Sequence, residues 1–296
     1  MSAVLRWLGH STATLDAAGV RIVTDPVLRK GLAHLRRRPP LSPREDSAGC
    51  QLALVSHLHH DHCDLPSLRR LRADWVVAPP GAGPWLQRRL GRGPSTVVEV
   101  AVGEQRTLPL RRSVGGHVDV VVTALPAHHA GHRTLGGLDG APPHGEAVGH
   151  LLRVPGALPG RDPDDLLLWA VGDTGEFPGD TAVLAAGGRA PDVALVPVGG
   201  WGHTLGPHHL DPRQAADLVT RVRPGLAVPV HWGTLHPVAL GRTMGDRFVE
   251  PGRRFAAEVA AGGTSTAVLL RHGEVLRLDA TGRVVGRAPL DGPPTV

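Results

Sequence analysis

The segment Ser56-His57-Leu58-His59-His60-Asp61-His62 constrains this chain more than any other, because it follows directly on the apolar run Leu52-Ala53-Leu54-Val55. A short run of that kind reads as a buried strand, and a strand running into a loop presents residues i and i+2 on one side. His57 and His59 therefore point together, while Asp61 and His62 fall where the chain turns away. Neutral imidazole is a good zinc ligand, at about 2.0–2.1 Å, and a carboxylate among histidines reduces the net charge the site must hold. A lone histidine is ordinarily a hydrogen-bonded surface or core residue; this density of donors after a buried strand points to metal, and one such segment can feed two adjacent ions.

Further donors close later apolar runs: His128-His129 after residues 118–125, Asp173 in Gly172-Asp173-Thr174-Gly175 after 166–171, and His231 in His231-Trp232-Gly233 after 226–230. Each alone is weak, since an aspartate in a glycine-flanked turn is usually a turn former. Their recurrence at strand ends brings ligand types repeatedly to one sheet edge. Residues 4–8, 20–24, 75–78, 97–100, 148–154, 193–198 and 266–270 also read as strands. Acidic caps precede helices at Asp64, Asp180 and Asp211, and residues 251–261 read as a last helix.

The first third and the middle are strand-rich, whereas strand–helix units occupy about 51–100 and 166–230. An α/β fold of two mixed β-sheets with helices on their outer faces, an αβ/βα four-layer sandwich, suits this order better than one doubly wound sheet. The 39 Gly and 28 Pro punctuate apolar runs as turns do, and no linker or repeat divides the chain, so a single domain over 1–296 is expected. Residues 131–147 and 156–165 read as loops, and 237–296 apart from that last helix as strands closing the second sheet, with no chemistry visible there.

A hydrophobic content of 41% is ample for a core. No stretch approaches the roughly 20 apolar residues of a membrane span, and MSAVLRWLGH lacks the basic and long apolar segments of a secretory leader, so a cytoplasmic protein is expected. Cys50 and Cys63 read as two reduced small hydrophobes, the second next to a ligand candidate. The formal charge of +5 is carried almost wholly by arginine. The clusters Arg36-Arg37-Arg38, Arg69-Arg70-Arg72 and Arg88-Arg89 are either solvated faces or attractors of phosphate-bearing partners. Aromatics at 3%, with no tyrosine, disfavour base stacking and hence nucleic acid.

The ordered set HLHHDH, PAHH, GDTG and HWG resembles the metallo-β-lactamase superfamily. RWLGHSTATL, TDPVL and HHLDPRQAA resemble its branch containing N-acylphosphatidylethanolamine-hydrolysing phospholipase D and the ascorbate-phosphate lactonases, the likeness running from about residue 4 to 236. The resemblance implies one metal held by His57, His59 and His129, another by Asp61, His62 and His231, and Asp173 bridging. Its patterns select His129 over His128, and His209 over His208. They put His10 near the site as a substrate contact and Asp25 behind it, orienting a ligand, with a structural turn role as the alternative for each.

Two divalent ions about 3.5–4 Å apart lower the pKa of a shared water toward 7, so hydrolysis is the expected chemistry. Asp61 is the candidate to orient that water and take its proton. His209 is the candidate to hydrogen-bond substrate or leaving group, and Arg133 to pair with a phosphate or carboxylate unless it is a solvated loop residue. Zinc is favoured because His59 stands where the related di-iron electron-transfer proteins carry a carboxylate; Mn2+ or Fe2+ are the alternatives. The expected substrate is a small molecule, a phosphodiester ahead of a lactone, with an RNA-processing nuclease as runner-up and a non-catalytic metal-binding scaffold third.

Overall fold

The computed structural model describes residues 3–91, 93–133, 139–177, 180–200 and 205–288. Strands β1 (Ala3–Gly9), β2 (Thr12–Ala17) and β3 (Val20–Thr24) form an antiparallel meander, from which the short β4 (Gly31–Leu32) and β5 (Leu35–Arg37) depart. The chain returns as β6 (Leu52–Leu54), parallel to β3, and continues through α1 (Leu65–Leu71), β7 (Trp75–Ala78), α2 (Gly83–Leu90) and β8 (Thr96–Glu99), all parallel. It then passes to a second sheet, where β9 (Gln105–Arg111), β10 (His117–Ala130), β11 (Glu146–Val154) and β12 (Leu166–Ala170) pair antiparallel. After α3 (Asp180–Gly187), β13 (Val193–Pro197), α4 (Pro212–Val222) and β14 (Leu226–Val230) extend that sheet in parallel. β15 (Leu235–Pro237) joins β5 and β4 in a small third sheet, and α5 (Glu250–Gly262) leads to β16 (Thr266–Ala267) beside β14. Finally β17 (Val275–Leu278) and β18 (Val284–Ala288) add to the first sheet next to β1.

The layers follow from side-chain alternation. Leu52 and Leu54 face one way and join Leu5, Trp7, Leu15, Ile22, Val122, Leu152 and Leu168 in the core between the sheets. Ala53 and Val55 face the other way and pack with Leu65, Leu68, Trp85 and Leu86 of α1 and α2. Both faces of a sheet covered in this way require near-continuous apolar strands, which is what β12, β13 and β14 show, every residue being buried. Burying a leucine such as Leu54 completely is worth roughly 1.5–3 kcal/mol. On the outer side of the second sheet, Val183, Leu218, Val219, Phe255 and Val259 bring α3, α4 and α5 into the same core. The expected four-layer α/β sandwich is therefore the observed one.

Asp64 accepts from the Ser67 amide ahead of α1, and Asp211 accepts from Arg213 and Gln214 in a capping box ahead of α4, as the acidic start signals require. The main departure lies at the C-terminus. Only β16 closes the second sheet, whereas β17 and β18 lengthen the first, because β17 pairs along Ala3–Arg6 of β1. Residues 134–138 of the expected loop and 289–296 of the expected terminal strands lie outside the described residues. Among the described residues no helix is long and apolar enough to cross a membrane.

His150 in β11 is buried, and its Nε2 finds no hydrogen-bond partner among the described residues. Burial pushes its pKa from 6.5 down to about 4 despite the attraction of Asp25. Below pH 6.5 the unfolded chain takes a proton that the folded chain refuses until about pH 4, so this group stabilises the fold above 6.5 and the contribution is lost as pH falls through 4. His150→Leu is expected to make stability less steep in pH over that window, by at most one proton or about 1.4 kcal/mol per pH unit, as read from urea midpoints of parent and variant. Parallel pH profiles for the two proteins would remove His150 as the source.

Candidate metal centre

β1, β3, β6, β10, β12 and β14 all run toward one edge of the sandwich, as their pairings require. Just beyond or at those ends stand His10, Asp25, the 57–62 loop, His129, Asp173 and His231. Three of these residues, His10, Asp25 and His231, take left-handed φ values of 53°, 36° and 61°. Non-glycine residues adopt that region at a cost, and such strain concentrates at functional sites. Gly172 before Asp173 has φ 72°, and a Cβ there would sit 2.9 Å from the Val148 carbonyl, so only glycine lets the turn close onto β11.

The ligand candidates converge. His57 Nε2 lies 2.9 Å and His129 Nε2 3.2 Å from His59 Nδ1, a triad of ring nitrogens around one point. A second group gathers Asp61 Oδ2 with His62 Nε2 at 3.9 Å and His231 Nε2 at 3.8 Å. Asp173 Oδ2 stands between them, 3.1 Å from both His62 and His231 Nε2 and 4.0 Å from His57 and His129 Nε2. All seven expected ligands thus face one pocket. His209 Nε2 is 3.4 Å from the same Asp173 oxygen with its side chain 27% exposed, so it sits at the mouth.

Outward-facing hydrogen bonds fix which nitrogen of each ring is bare. Asp25, a carboxylate and so an acceptor only, takes the Ser56 amide at 2.8 Å, the Ser56 hydroxyl at 2.7 Å and His62 Nδ1–H at 2.8 Å. The Ser56 hydroxyl, having donated its hydrogen, accepts from His57 Nδ1–H at 3.0 Å. His129 Nδ1–H donates to the His208 carbonyl at 2.9 Å and His231 Nδ1–H to the Gly199 carbonyl at 2.7 Å. Each of these rings therefore turns Nε2 inward, and the neutral ring presents there the bare nitrogen a cation needs.

Electrostatics divides the two groups. Burial, with His62 and His59 nearby, holds His57 well below the usual histidine range; burial likewise pushes His59 down to about 4 and lowers His129. These three are neutral donors at physiological pH. Against the burial that works the other way, Asp173, Asp25 and Asp61 push His62 well up, and Asp173 and Asp61 bring His231 to about 9. Asp61 and Asp173 stay well below the carboxylate range because, despite burial, His62 and His231 face them both. The buried Nε2 atoms of His62 and His231 and Oδ1 of Asp173 have no hydrogen-bond partner among the described residues. Bare imidazoles and buried carboxylates crowded this closely fit divalent cations, which take the place of the protons that His62 and His231 otherwise attract.

Two expected substrate contacts are corrected. Arg133 is buried, its Nε donating to Asp139 at 2.6 Å and its Nη1 to the Leu58 and Cys63 carbonyls at 3.1 and 2.9 Å. It clamps the ligand loop from behind and has no donor turned to the pocket in these bonds. Arg133→Met is expected to cost about 2–3 kcal/mol of stability by urea unfolding, since charged hydrogen bonds are lost, while KM stays unchanged; a raised KM at parental stability would restore the substrate role. His10 is also buried, with Nε2 on Asp61 Oδ2 at 3.0 Å, so it touches a ligand candidate instead of an open substrate space. The Arg36–Arg38 cluster forms no single patch: Arg37 turns inward onto the Leu8 and Val27 carbonyls, and Arg38 lies 4.4 Å over the Phe248 ring. The Cys63 thiol is buried and pushed up to about 12.

A four-layer αβ/βα sandwich with a histidine–aspartate cluster at one strand-end edge defines a metal-dependent hydrolase class. Residues 20–232 match the beta-lactamase superfamily domain, and the chain belongs to that family, in its metallo-hydrolase form. It is 29% identical over 243 residues to N-acyl-phosphatidylethanolamine-hydrolyzing phospholipase D 1 of Caenorhabditis elegans, covering 77% of this chain but only 63% of that relative. A metal-dependent hydrolase of Koribacter versatilis is 29% identical over 252 residues, covering 83% of this chain and 91% of its own. Among solved structures, a metallo hydrolase from the archaeon Ignicoccus hospitalis superimposes with TM-score 0.62 at 20% identity, over 94% of this chain and 99% of its own, a likeness of fold.

Proposed function

We propose that this metal-dependent hydrolase works with two divalent ions, zinc in the protein as isolated, and cleaves a small phosphodiester. The observation that carries the reading is the position of Asp173 Oδ2 between two donor groups, 3.1 Å from His62 and His231 and 4.0 Å from His57 and His129. His57, His59 and His129 would hold one ion, Asp61, His62 and His231 the other, and Asp173 would serve both. When bound, such a pair supplies Lewis acidity and a water acidified toward neutral pH. An imidazole-rich set with His59 in the second motif position favours zinc over manganese or iron.

The chain's own residues do the rest. Asp61, held ionised among His62, His10 and His231, orients the attacking water and accepts its proton. His209, at the mouth and the most exposed side chain placed against Asp173, hydrogen-bonds the leaving oxygen. Buried walls below it, His57, His62 and Asp173 among them, keep bulk water out and so strengthen every charge interaction inside. A phosphodiester is placed ahead of a lactone because the relative from Caenorhabditis elegans is a phospholipase D by name. A lactone remains the second reading on the same machinery, since a carbonyl can take the position of the phosphoryl group.

Protein purified without added metal, then analysed for bound ions, is expected to hold about two per chain, zinc predominating. Fewer than about one ion per chain would sink the site as drawn. Metal-loaded protein is then given a chromogenic phosphodiester and a small lactone; faster turnover of the lactone replaces the substrate class. An Asp61→Ala protein as active as the parent removes the role given to that carboxylate.

A further inference from the structure

His10 is not among the ligands assigned above, yet it meets Asp61 closely, Nε2 to Oδ2 at 3.0 Å, and is buried to 1% exposure. Its position admits two chemistries: a further ligand to the ion beside Asp61, His62 and His231, with which it forms a compact group, or a hydrogen-bond donor to Asp61. The outer nitrogen decides between them. His57, His62, His129 and His231 each spend Nδ1–H on an acceptor, which leaves Nε2 bare for a cation. His10 Nδ1 is buried with no hydrogen-bond partner among the described residues. A proton there would be an unsatisfied buried donor and would turn the Nε2 lone pair onto the Asp61 carboxylate, whereas a bare Nδ1 leaves the proton on Nε2, where Asp61 accepts it.

The backbone around His10 is held as firmly as the ring. Its amide donates to Thr234 Oγ1 at 2.7 Å, and its carbonyl accepts from the His231 amide at 3.0 Å and from Trp7 Nε1 at 2.8 Å. Thr234 Oγ1 in turn meets His272 Nε2 at 2.7 Å, and the His272 ring stacks 4.4 Å from Trp7. These ties hold His10 in its left-handed conformation and strap it to the loop that carries His231. They also give the C-terminal part of the chain, which supplies His272, a connection to the metal centre.

We propose that His10 is a positioning residue that donates Nε2–H to Asp61 Oδ2 and so sets the carboxylate for the second ion. This rests on the dinuclear reading above. Glutamine places an amide nitrogen where histidine has Nε2; asparagine places one only where histidine has Nδ1, and it tolerates a left-handed φ better. The test therefore compares His10→Gln with His10→Asn, titrating cobalt(II) into metal-free protein and following the visible absorption of the first and second equivalents.

The Gln protein is expected to bind the second equivalent within about threefold of the parent. The Asn protein should bind it about 10–100-fold more weakly, the usual cost of losing a group that orients a ligand. In both, the band of the first equivalent at His57, His59 and His129 should match the parent. Second-ion affinity equal in the two variants, or weaker in Gln than in Asn, overturns the proposal, because then backbone fit or ligation, not donation from the Nε2 position, is what matters. A parent that binds no second equivalent defeats the dinuclear reading, and with it the second ion that His10 is proposed to serve.

Discussion

Asp173→Asn is expected to bind one ion tightly where the parent binds two, and to lose turnover on the order of 10³-fold, because a Lewis-acidic ion contributes several kcal/mol to such reactions. The argument is geometric. Asp173 Oδ2 is the one oxygen within 4.0 Å of His57, His62, His129 and His231 together, so no other described carboxylate stands ready to replace it. Asparagine keeps the shape of the turn but brings a neutral group to the place where, on the proposed reading, two cations would need a shared negative charge. The His57, His59 and His129 triad survives, which is why one ion should remain. Metal analysis and kcat on a chromogenic phosphodiester measure both effects; two ions retained with kcat within tenfold of the parent would mean that Asp173 does not bridge.

Asp25→Asn should damage both halves of the centre through one substitution. Asp25 accepts from three donors, the Ser56 amide, the Ser56 hydroxyl and His62 Nδ1–H. An amide side chain offers one oxygen and one NH2, so whichever way it turns, a donor faces a donor. If the NH2 faces His62, the ring escapes only by moving its proton to Nε2, the nitrogen required for metal; Ser56, left without its acceptor, no longer holds His57. Loss of such an orienting partner costs about 10–100-fold in metal affinity, here expected for both ions. The buried mismatch adds about 1–3 kcal/mol of destabilisation, measurable by urea unfolding of the metal-free protein. Unchanged affinity for the first ion would show that Ser56 does not transmit Asp25 to His57.

Much of this was written in the sequence where a residue type has one dominant use. The 57–62 loop, His129, Asp173 and His231 each follow an apolar strand, and strand ends sharing an edge bring them together. Arg133 misled because an arginine just past a ligand looks the same whether its partner is a phosphate or a carbonyl; only the fold shows the Leu58 and Cys63 carbonyls behind it. The carbonyls of Gly199 and His208, which orient His231 and His129, carry no side-chain signature at all. β9 escaped notice because only Leu108 and Leu110 of its residues are buried, and Pro109 is tolerated there because the strand lies at a sheet edge. β2 lacks a long apolar run, its threonines Thr12 and Thr14 being buried by hydrogen bonding to carbonyls.

The donors do not come from one sheet. His57, His59, Asp61 and His62 follow β6 of the first, while His129 lies in β10 and Asp173 and His231 follow β12 and β14 of the second. Each donor group draws on both sheets, so the complete set exists only where the two are docked. A cation held there would tie the two sheets to each other, and part of its binding free energy would count toward keeping them joined, a seam in the architecture as well as a reagent.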